Sequence, residues 1–306
     1  MPAPEYKGFS KWLLYLVARA LMWVLQKAPT LITYRGGRML GLFFYYLLSG
    51  RRKVVRKNVG ILNAWKEARG VRNATDGLAF ERQVREVFMR NCSNLLCSFR
   101  LSSLPSGKQK WHLSFEGVEH LINASNSGNG VIVVMAHTGP WEILTSLSKF
   151  GSSVGFEGTT GAIYRPLNNG YLDDWYRKQR ESDGARMFGR RNAVAEAVDF
   201  VRGGGCLGIL SDQRTTKGEV VTYFGRQVKM SPLPYLLQRR TGCVMLGLSC
   251  ETVGPALWRF VFRKIPLPAE GEKLSRGEYS QMVAEASEGN ISGSITDAFF
   301  IHNVFK

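Results

Sequence analysis

His137 and Glu142 are the two side chains best suited by type and spacing to move a proton. An imidazole titrates closer to neutrality than any other side chain. A carboxylate on its second ring nitrogen would fix the tautomer and favour the imidazolium that forms on proton uptake. Such a pair can take the proton from a hydroxyl while that hydroxyl attacks a carbonyl. A separation of five is awkward on one continuous helix and natural when a turn intervenes. The same two residues also suit a plainer arrangement, a strand-end His satisfied by backbone and a helix-start Glu that favours the dipole. No Gly-x-Ser-x-Gly elbow accompanies the pair, so direct transfer is preferred to an acyl-enzyme, with Ser211 and Thr138 as weak nucleophile candidates.

The elements that must hold this pair follow from its flanks. Val131 to Ala136 is wholly apolar and rich in β-branched residues, which predicts a buried strand. Gly139 frees the backbone for a sharp turn, and Pro140 suits the first position of a helix, where its missing N–H costs nothing. His137 is thus expected at a strand's carboxyl end and Glu142 in the first helical turn, the place where open α/β sheets bind ligands. Asn123–Gly130 reads as the loop before this strand. Further strands are expected within Phe156–Tyr164, Cys206–Leu210, Cys243–Cys250 and Trp258–Ile265, and helices over Leu78–Phe99, Tyr171–Gln179 and Ala193–Val201. Strands alternating with helices predict an α/β core. Phe299–Lys306 looks like a strand or an apolar tail.

The 306 residues carry a formal net charge of +17, unevenly spread. Residues 1–110 hold 20 Lys/Arg against 5 Asp/Glu, whereas residues 111–306 hold 21 against 19. A basic attachment region therefore precedes a near-neutral body. Phe9–Leu25 is apolar and Trp-bearing but interrupted by Arg19, which makes spanning a bilayer marginal and an interfacial seat the better expectation. Met39–Leu48 is too short to span. Arg51-Arg52-Lys53 and Arg56-Lys57 follow at once, a cluster suited to an anionic membrane. The basic residues alternate with Trp-, Leu- and Val-rich stretches, more like membrane contact than base stacking, which argues against a nucleic-acid partner. Five cysteines without metal-ligand spacing predict reduced, buried thiols and no metal site. No cleavable signal peptide is evident, so export of the chain is not expected.

His137-Thr138-Gly139-Pro140-Trp141-Glu142 resembles the histidine-four-residues-acid motif of glycerolipid-type acyltransferases, in the form used by the bacterial lipid A late acyltransferases. Four further segments resemble that family in order: Arg56-Lys57-Asn58-Val59, Tyr164-Arg165-Pro166-Leu167-Asn168-Asn169, Ser211-Asp212-Gln213 and Phe224-Gly225-Arg226-Gln227-Val228. The resemblance covers roughly residues 10–306 and implies an α/β fold, a mixed sheet flanked by helices, with an N-terminal membrane-associated helical region. On this reading residues 1–50 are the membrane-associated segment and 51–306 the acyltransferase domain, with a helical lead-in over 51–110 and an α/β core over 111–306.

What the resemblance implies chemically is transfer of a fatty acyl group to a hydroxyl of a phosphorylated lipid A precursor at the cytoplasmic face of a bacterial inner membrane. The donor would be acyl carrier protein through its phosphopantetheine arm, or acyl-CoA, with no further cofactor. His137 would be the general base and Glu142 would hold it. Arg165 would bind phosphate on acceptor or donor, and Asn169, Arg190, Asp212 and Gln213 would shape the same cleft. The chain departs from the family at its end, where Phe300-Ile301-His302-Asn303-Val304-Phe305-Lys306 lacks the usual central Arg, and at Thr138 and Pro140. Those departures bear on the acceptor and leave open another bacterial glycolipid or aminolipid. An acyl hydrolase using the same residues would instead release free fatty acid, and an inactive membrane scaffold would do neither.

Overall fold

The computed structural model describes residues 7–71, 78–189, 193–268 and 274–305. Strand β1 is Leu113–Glu116 and β2, Val131–Met135, is the buried apolar run expected from its residues. Then come β3 (Thr160–Ile163), β4 (Ala185–Phe188), β5 (Cys206–Leu210), β6 (Arg214–Tyr223), β7 (Arg226–Met230), β8 (Val244–Gly254) and β9 (Leu257–Lys264). Among the described residues seven of these strands form one sheet in the order β1-β9-β8-β2-β5-β3-β4. Neighbours are parallel except for the β8–β9 pair, so the sheet is mixed. β2 stands at its centre between β5 and β8.

The helices are α1 (Phe9–Lys27), α2 (Thr30–Leu47), α3 (Ser49–Arg69), α4 (Phe80–Ser102), α5 (Val118–Asn126), α6 (Leu147–Phe150), α7 (Gly170–Ser182), α8 (Ala193–Arg202), α9 (Leu233–Thr241) and α10 (Arg276–Ser292). Because side chains alternate along a strand, β2 feeds two cores. Ile132 and Val134 pack with Val198 of α8, Leu237 of α9 and Val283 of α10, whereas Val133 and Met135 pack with Leu121 of α5, Phe150 of α6 and Phe260 of β9. Helices thus cover both faces of the sheet, as an α/β fold requires.

Two elements are shaped by close backbone approach. A Cβ on Gly37 would stand 2.5 Å from Ser93 Cα, and one on Gly41 would stand 2.3 Å from the Phe88 carbonyl oxygen, so these glycines let α2 lie directly on α4. Arg38 locks the pair through Nη1 and Nη2 to Glu86 at 2.9 and 2.7 Å. Helix α1 leaves Leu13, Leu14, Val17, Leu21 and Trp23 exposed, and α2 adds Ile32, Met39 and Phe43. No helix among the described residues is long and apolar enough to cross a membrane.

Three local expectations change. Asn123–Asn126 continues α5 instead of joining the loop before β2, which shortens that loop to Ser127–Gly130. The segment after Pro140 is a 3₁₀ turn, Trp141–Ser146, followed by α6. The C-terminal segment forms no strand; the apolar alternative holds, and the tail is folded down onto the body. It is a chain of turns whose Phe300, Val304 and Phe305 are buried. Its backbone is pinned to α3: Asn58 Nδ2 donates to the Phe300 and His302 carbonyls at 3.0 and 2.9 Å, and Lys57 Nζ donates to that of Phe305 at 2.7 Å.

Candidate active site

His137 and Asp212 meet because the parallel ladder between β2 and β5 continues past both strands. Met135 is in register with Leu210, so the residues two further along, His137 and Asp212, share the next rung and the same face. The Asp212 carboxylate grips His137 twice. Oδ2 accepts from the backbone N–H at 2.9 Å and Oδ1 lies 2.6 Å from ring Nδ1. Burial opposes a charge on His137, but the Asp212 carboxylate and its hydrogen bond outweigh it and raise the imidazole above its ordinary value. Burial likewise opposes the charge on Asp212, and the His137 bonds prevail and hold it below the usual carboxylate range. With Nδ1 turned to Asp212, Nε2 is the ring atom left to react. Among the described residues its hydrogen-bonding neighbour is Gln213 Nε2, at 3.4 Å. Trp141 and Phe299 flank the ring at centroid distances of 5.2 and 6.3 Å.

Glu142 does not hold His137. The 3₁₀ turn carries it toward α7, where its carboxylate takes a charge-assisted bond from Arg180. The Arg180 guanidinium in turn stacks on the Tyr176 ring, 3.8 Å from its centroid. Glu142 remains near enough to the imidazole for its charge to favour protonation, behind the contribution of Asp212. The positioning carboxylate therefore comes from the neighbouring strand end and not from the turn after the histidine. Ser211 and Thr138 are withdrawn as nucleophiles by the same alternation that presents Asp212 and His137. Both are buried, and Thr138 Oγ1 accepts from Cys250 N–H at 3.3 Å.

A cavity of about 460 Å³ opens beside Nε2. Its inner wall is apolar, with Leu121, Val133, Leu147, Cys206 and Phe262 all buried, and it widens past Tyr176 and Arg180 to the exposed Arg165 and Leu167. Rungs of the sheet grade its depth. Met135 and Leu210 lie next to His137, Val133 and Gly208 one rung below, and Cys206 with Thr160 below that. Such a space suits a hydrocarbon chain whose reacting end reaches the imidazole.

The other expected site residues divide. Arg165 stands at the cavity's outer lip with no carboxylate partner among the described residues, and Gln213 lines the cavity beside the imidazole. Asn169 is not a cavity residue. Its Oδ1 caps α7 by accepting from the Tyr171 and Leu172 N–H groups, and its Nδ2 donates to the Lys11 carbonyl at 2.8 Å, which ties α1 to α7. Arg190 lies outside the described residues. Tyr176 and Arg180 were not singled out from sequence; both sit on one face of α7, four residues apart, but the helix expected there stops at Gln179, one residue short of Arg180.

The remaining motifs brace this centre. Asn58 and Lys57 fix the C-terminal segment, whose Phe299 N–H donates to the His137 carbonyl at 2.8 Å. Phe224-Gly225 is the two-residue turn between β6 and β7, both at positive φ (49° and 71°). A bulky residue rarely adopts that conformation. Phe224 keeps it by burying its ring 5.0 Å from Trp65 and donating its N–H to Glu288. No curated protein matches the chain closely enough to serve as a relative. Residues 3–306 match the family described as bacterial lipid A biosynthesis acyltransferase, and the chain belongs to that family of lipid acyltransferases.

Proposed function

We propose that this protein transfers a fatty acyl group from acyl carrier protein to a hydroxyl of a phosphorylated lipid A precursor, with His137 as general base and Asp212 as the residue that orients it. The observation that carries this reading is the apolar cavity ending at the one ring nitrogen that Asp212 leaves free. Nε2 takes the acceptor's hydroxyl proton as the oxygen attacks the thioester carbonyl. The tetrahedral adduct collapses, the C–S bond breaks, and the imidazolium returns the proton to the leaving thiolate. The products are the new O-acyl lipid and the free carrier thiol, and no acyl-enzyme is formed.

Residues 1–50 serve as the membrane-facing segment and 51–306 as the acyltransferase domain. The exposed apolar side chains of α1 and α2 support a seat in the interface on the cytoplasmic face of the inner membrane, and the 20 Lys/Arg of the first 110 residues support attraction to an anionic leaflet and an acidic carrier. Tyr15 of α1 lies beside Tyr171 of α7, and Lys7, just ahead of α1, pairs with Asp174 of α7 at 3.2 Å, so the membrane seat adjoins the helix that walls the cavity. The test is an assay of purified full chain with acyl carrier protein thioester and a phosphorylated lipid A precursor in anionic vesicles. Formation of the acylated lipid with matching release of carrier thiol is expected. Release of free fatty acid at the same rate with and without acceptor would replace the transferase reading by a hydrolase.

Chain-length choice is expected to rest on Gly208. A Cβ there would meet only ordinary contacts, Met135 Sδ at 3.6 Å and the Gly161 carbonyl at 3.7 Å, so a side chain fits and projects into the cavity. It would close the cavity about 7 Å below the Met135–Leu210 rung. Gly208→Leu should therefore shift preference to acyl donors several carbons shorter, measured by mass spectrometry of products from a mixture of donors. An unchanged product distribution would show that the chain does not run past this strand.

A further inference from the structure

A second, smaller cleft of about 150 Å³ shares Gln213 with the acyl cavity and is lined otherwise by Arg214, Thr215, Thr216, His302 and Asn303, with Val304 as an apolar patch. We propose that this polar cleft holds the phosphorylated, hydroxyl-bearing head group of the acceptor and delivers its reacting hydroxyl to His137 Nε2, a reading that rests on the transferase function above.

Position carries the first part of the argument. Gln213 is shared by the two spaces and its Nε2 stands 3.4 Å from His137 Nε2, so the residue common to acyl cavity and cleft is also the polar neighbour of the reacting ring atom. Phe299 links the two histidines, its ring centroid 6.3 Å from that of His137 and 5.2 Å from that of His302. A direct transfer needs two substrates to meet at the base, and an apolar chain and a polar head group need walls of opposite character. The first space is walled mainly by apolar side chains, and the second presents Arg214, Thr215, Thr216, His302 and Asn303 beside Val304.

Chemistry carries the second part. Arg214 is exposed and has no carboxylate partner among the described residues, which leaves its planar fork free for a phosphate. Asp212, the nearest acid in sequence, is committed to His137. Thr215, Thr216 and Asn303 offer hydroxyl and carboxamide groups that suit a polyol. Burial and the nearby His137 and Arg51 charges push the His302 imidazole below its ordinary value, so it meets the head group as a neutral donor or acceptor. The far wall is built to hold its shape. Arg51 Nη1 donates to the Ile301 carbonyl at 3.3 Å, and Asn58 fixes the carbonyls of Phe300 and His302. The cleft also accounts for the departure from the family at the chain's end, because Asn303 stands at the wall where the usual Arg is missing.

The test uses the full chain and two acceptors, the phosphorylated lipid A precursor and the same lipid after phosphatase treatment. Arg214→Ala should raise the KM for the phosphorylated acceptor roughly tenfold or more, as expected for loss of one charge-assisted contact, and leave the KM for acyl carrier protein thioester unchanged. Removing the phosphate should weaken the wild type by a similar factor and the Arg214→Ala protein hardly at all, since phosphate and guanidinium would already be uncoupled. Lys217→Ala, which removes a nearby cation outside the cleft, should leave both KM values alone. A rise in donor KM in place of acceptor KM would reassign the cleft to the carrier's arm and overturn the proposal, as would equal sensitivity to dephosphorylation in wild type and variant. A wild type that transfers nothing to either lipid would instead overturn the function itself.

Discussion

Asp212→Asn is expected to lower kcat by roughly 10³- to 10⁴-fold while the protein stays folded, because an amide can satisfy the His137 backbone N–H yet donates to the ring where the carboxylate accepts. The imidazole would then present the wrong tautomer, with Nε2 protonated and unable to take the acceptor's proton. His137→Ala should cost at least as much, and the double variant little more than either alone, since residues that act as one unit do not contribute additively. The pH profile gives a second, independent readout. The active form carries neutral His137, and in the native protein Asp212 holds the imidazole above its usual value, so kcat/KM should fall as pH drops through that raised pKa. In Asp212→Asn the burial that opposes charge remains and the main cause of the rise is gone. The residual activity should then persist to lower pH than in the native enzyme. An Asp212→Asn protein with native kcat and an unmoved acid limb would show that the pairing has no part in the reaction.

The portions of this site that are legible in sequence are the ones that local chemistry determines. Val131–Met135 and Cys206–Leu210 announce themselves as buried strands because both their faces are covered, and the Gly139-Pro140 turn fixes His137 at a strand end. The partner of His137 is not legible in this way. Glu142 is the nearest carboxylate along the chain, whereas Asp212 is 75 residues away and becomes the neighbour only once β5 pairs in parallel with β2. Nothing in the residues themselves states which strands adjoin. The available signal is the acid just past a buried run: Asp212 stands two residues after β5, as His137 stands two residues after β2. Asn169 misled for a related reason, since a residue before a helix serves as a cap as readily as it serves a ligand. Helix α10 shows no apolar stripe because its buried face carries Ser280, Ser287, Glu288 and Asn290 among the hydrophobic residues. One of these, Asn290 Nδ2, donates to the Val134 carbonyl at 3.1 Å and so braces β2 from below.

Glu142→Gln is the second large expected effect, and it falls on stability before chemistry. Arg180 is 9% exposed, and its Nε finds no partner among the described residues, so Glu142 supplies the countercharge that makes burying this guanidinium tolerable. Removing one member of such a pair leaves an uncompensated buried charge, at a cost of about 3–5 kcal/mol. A urea melt of Glu142→Gln should show that loss as a lowered midpoint at unchanged slope. Changing Arg180 to Met in the same protein should recover most of it, because the orphaned charge disappears and Met still packs on Tyr176. The pH profile separates this role from that of Asp212. Glu142 acts on the imidazole only through charge, without a hydrogen bond to the ring, so Glu142→Gln should move the acid limb in the same direction as Asp212→Asn but less far. A limb that moves further in Glu142→Gln than in Asp212→Asn would return the orienting role to Glu142, and a native-like melt would remove Arg180 from the list of charges that need it.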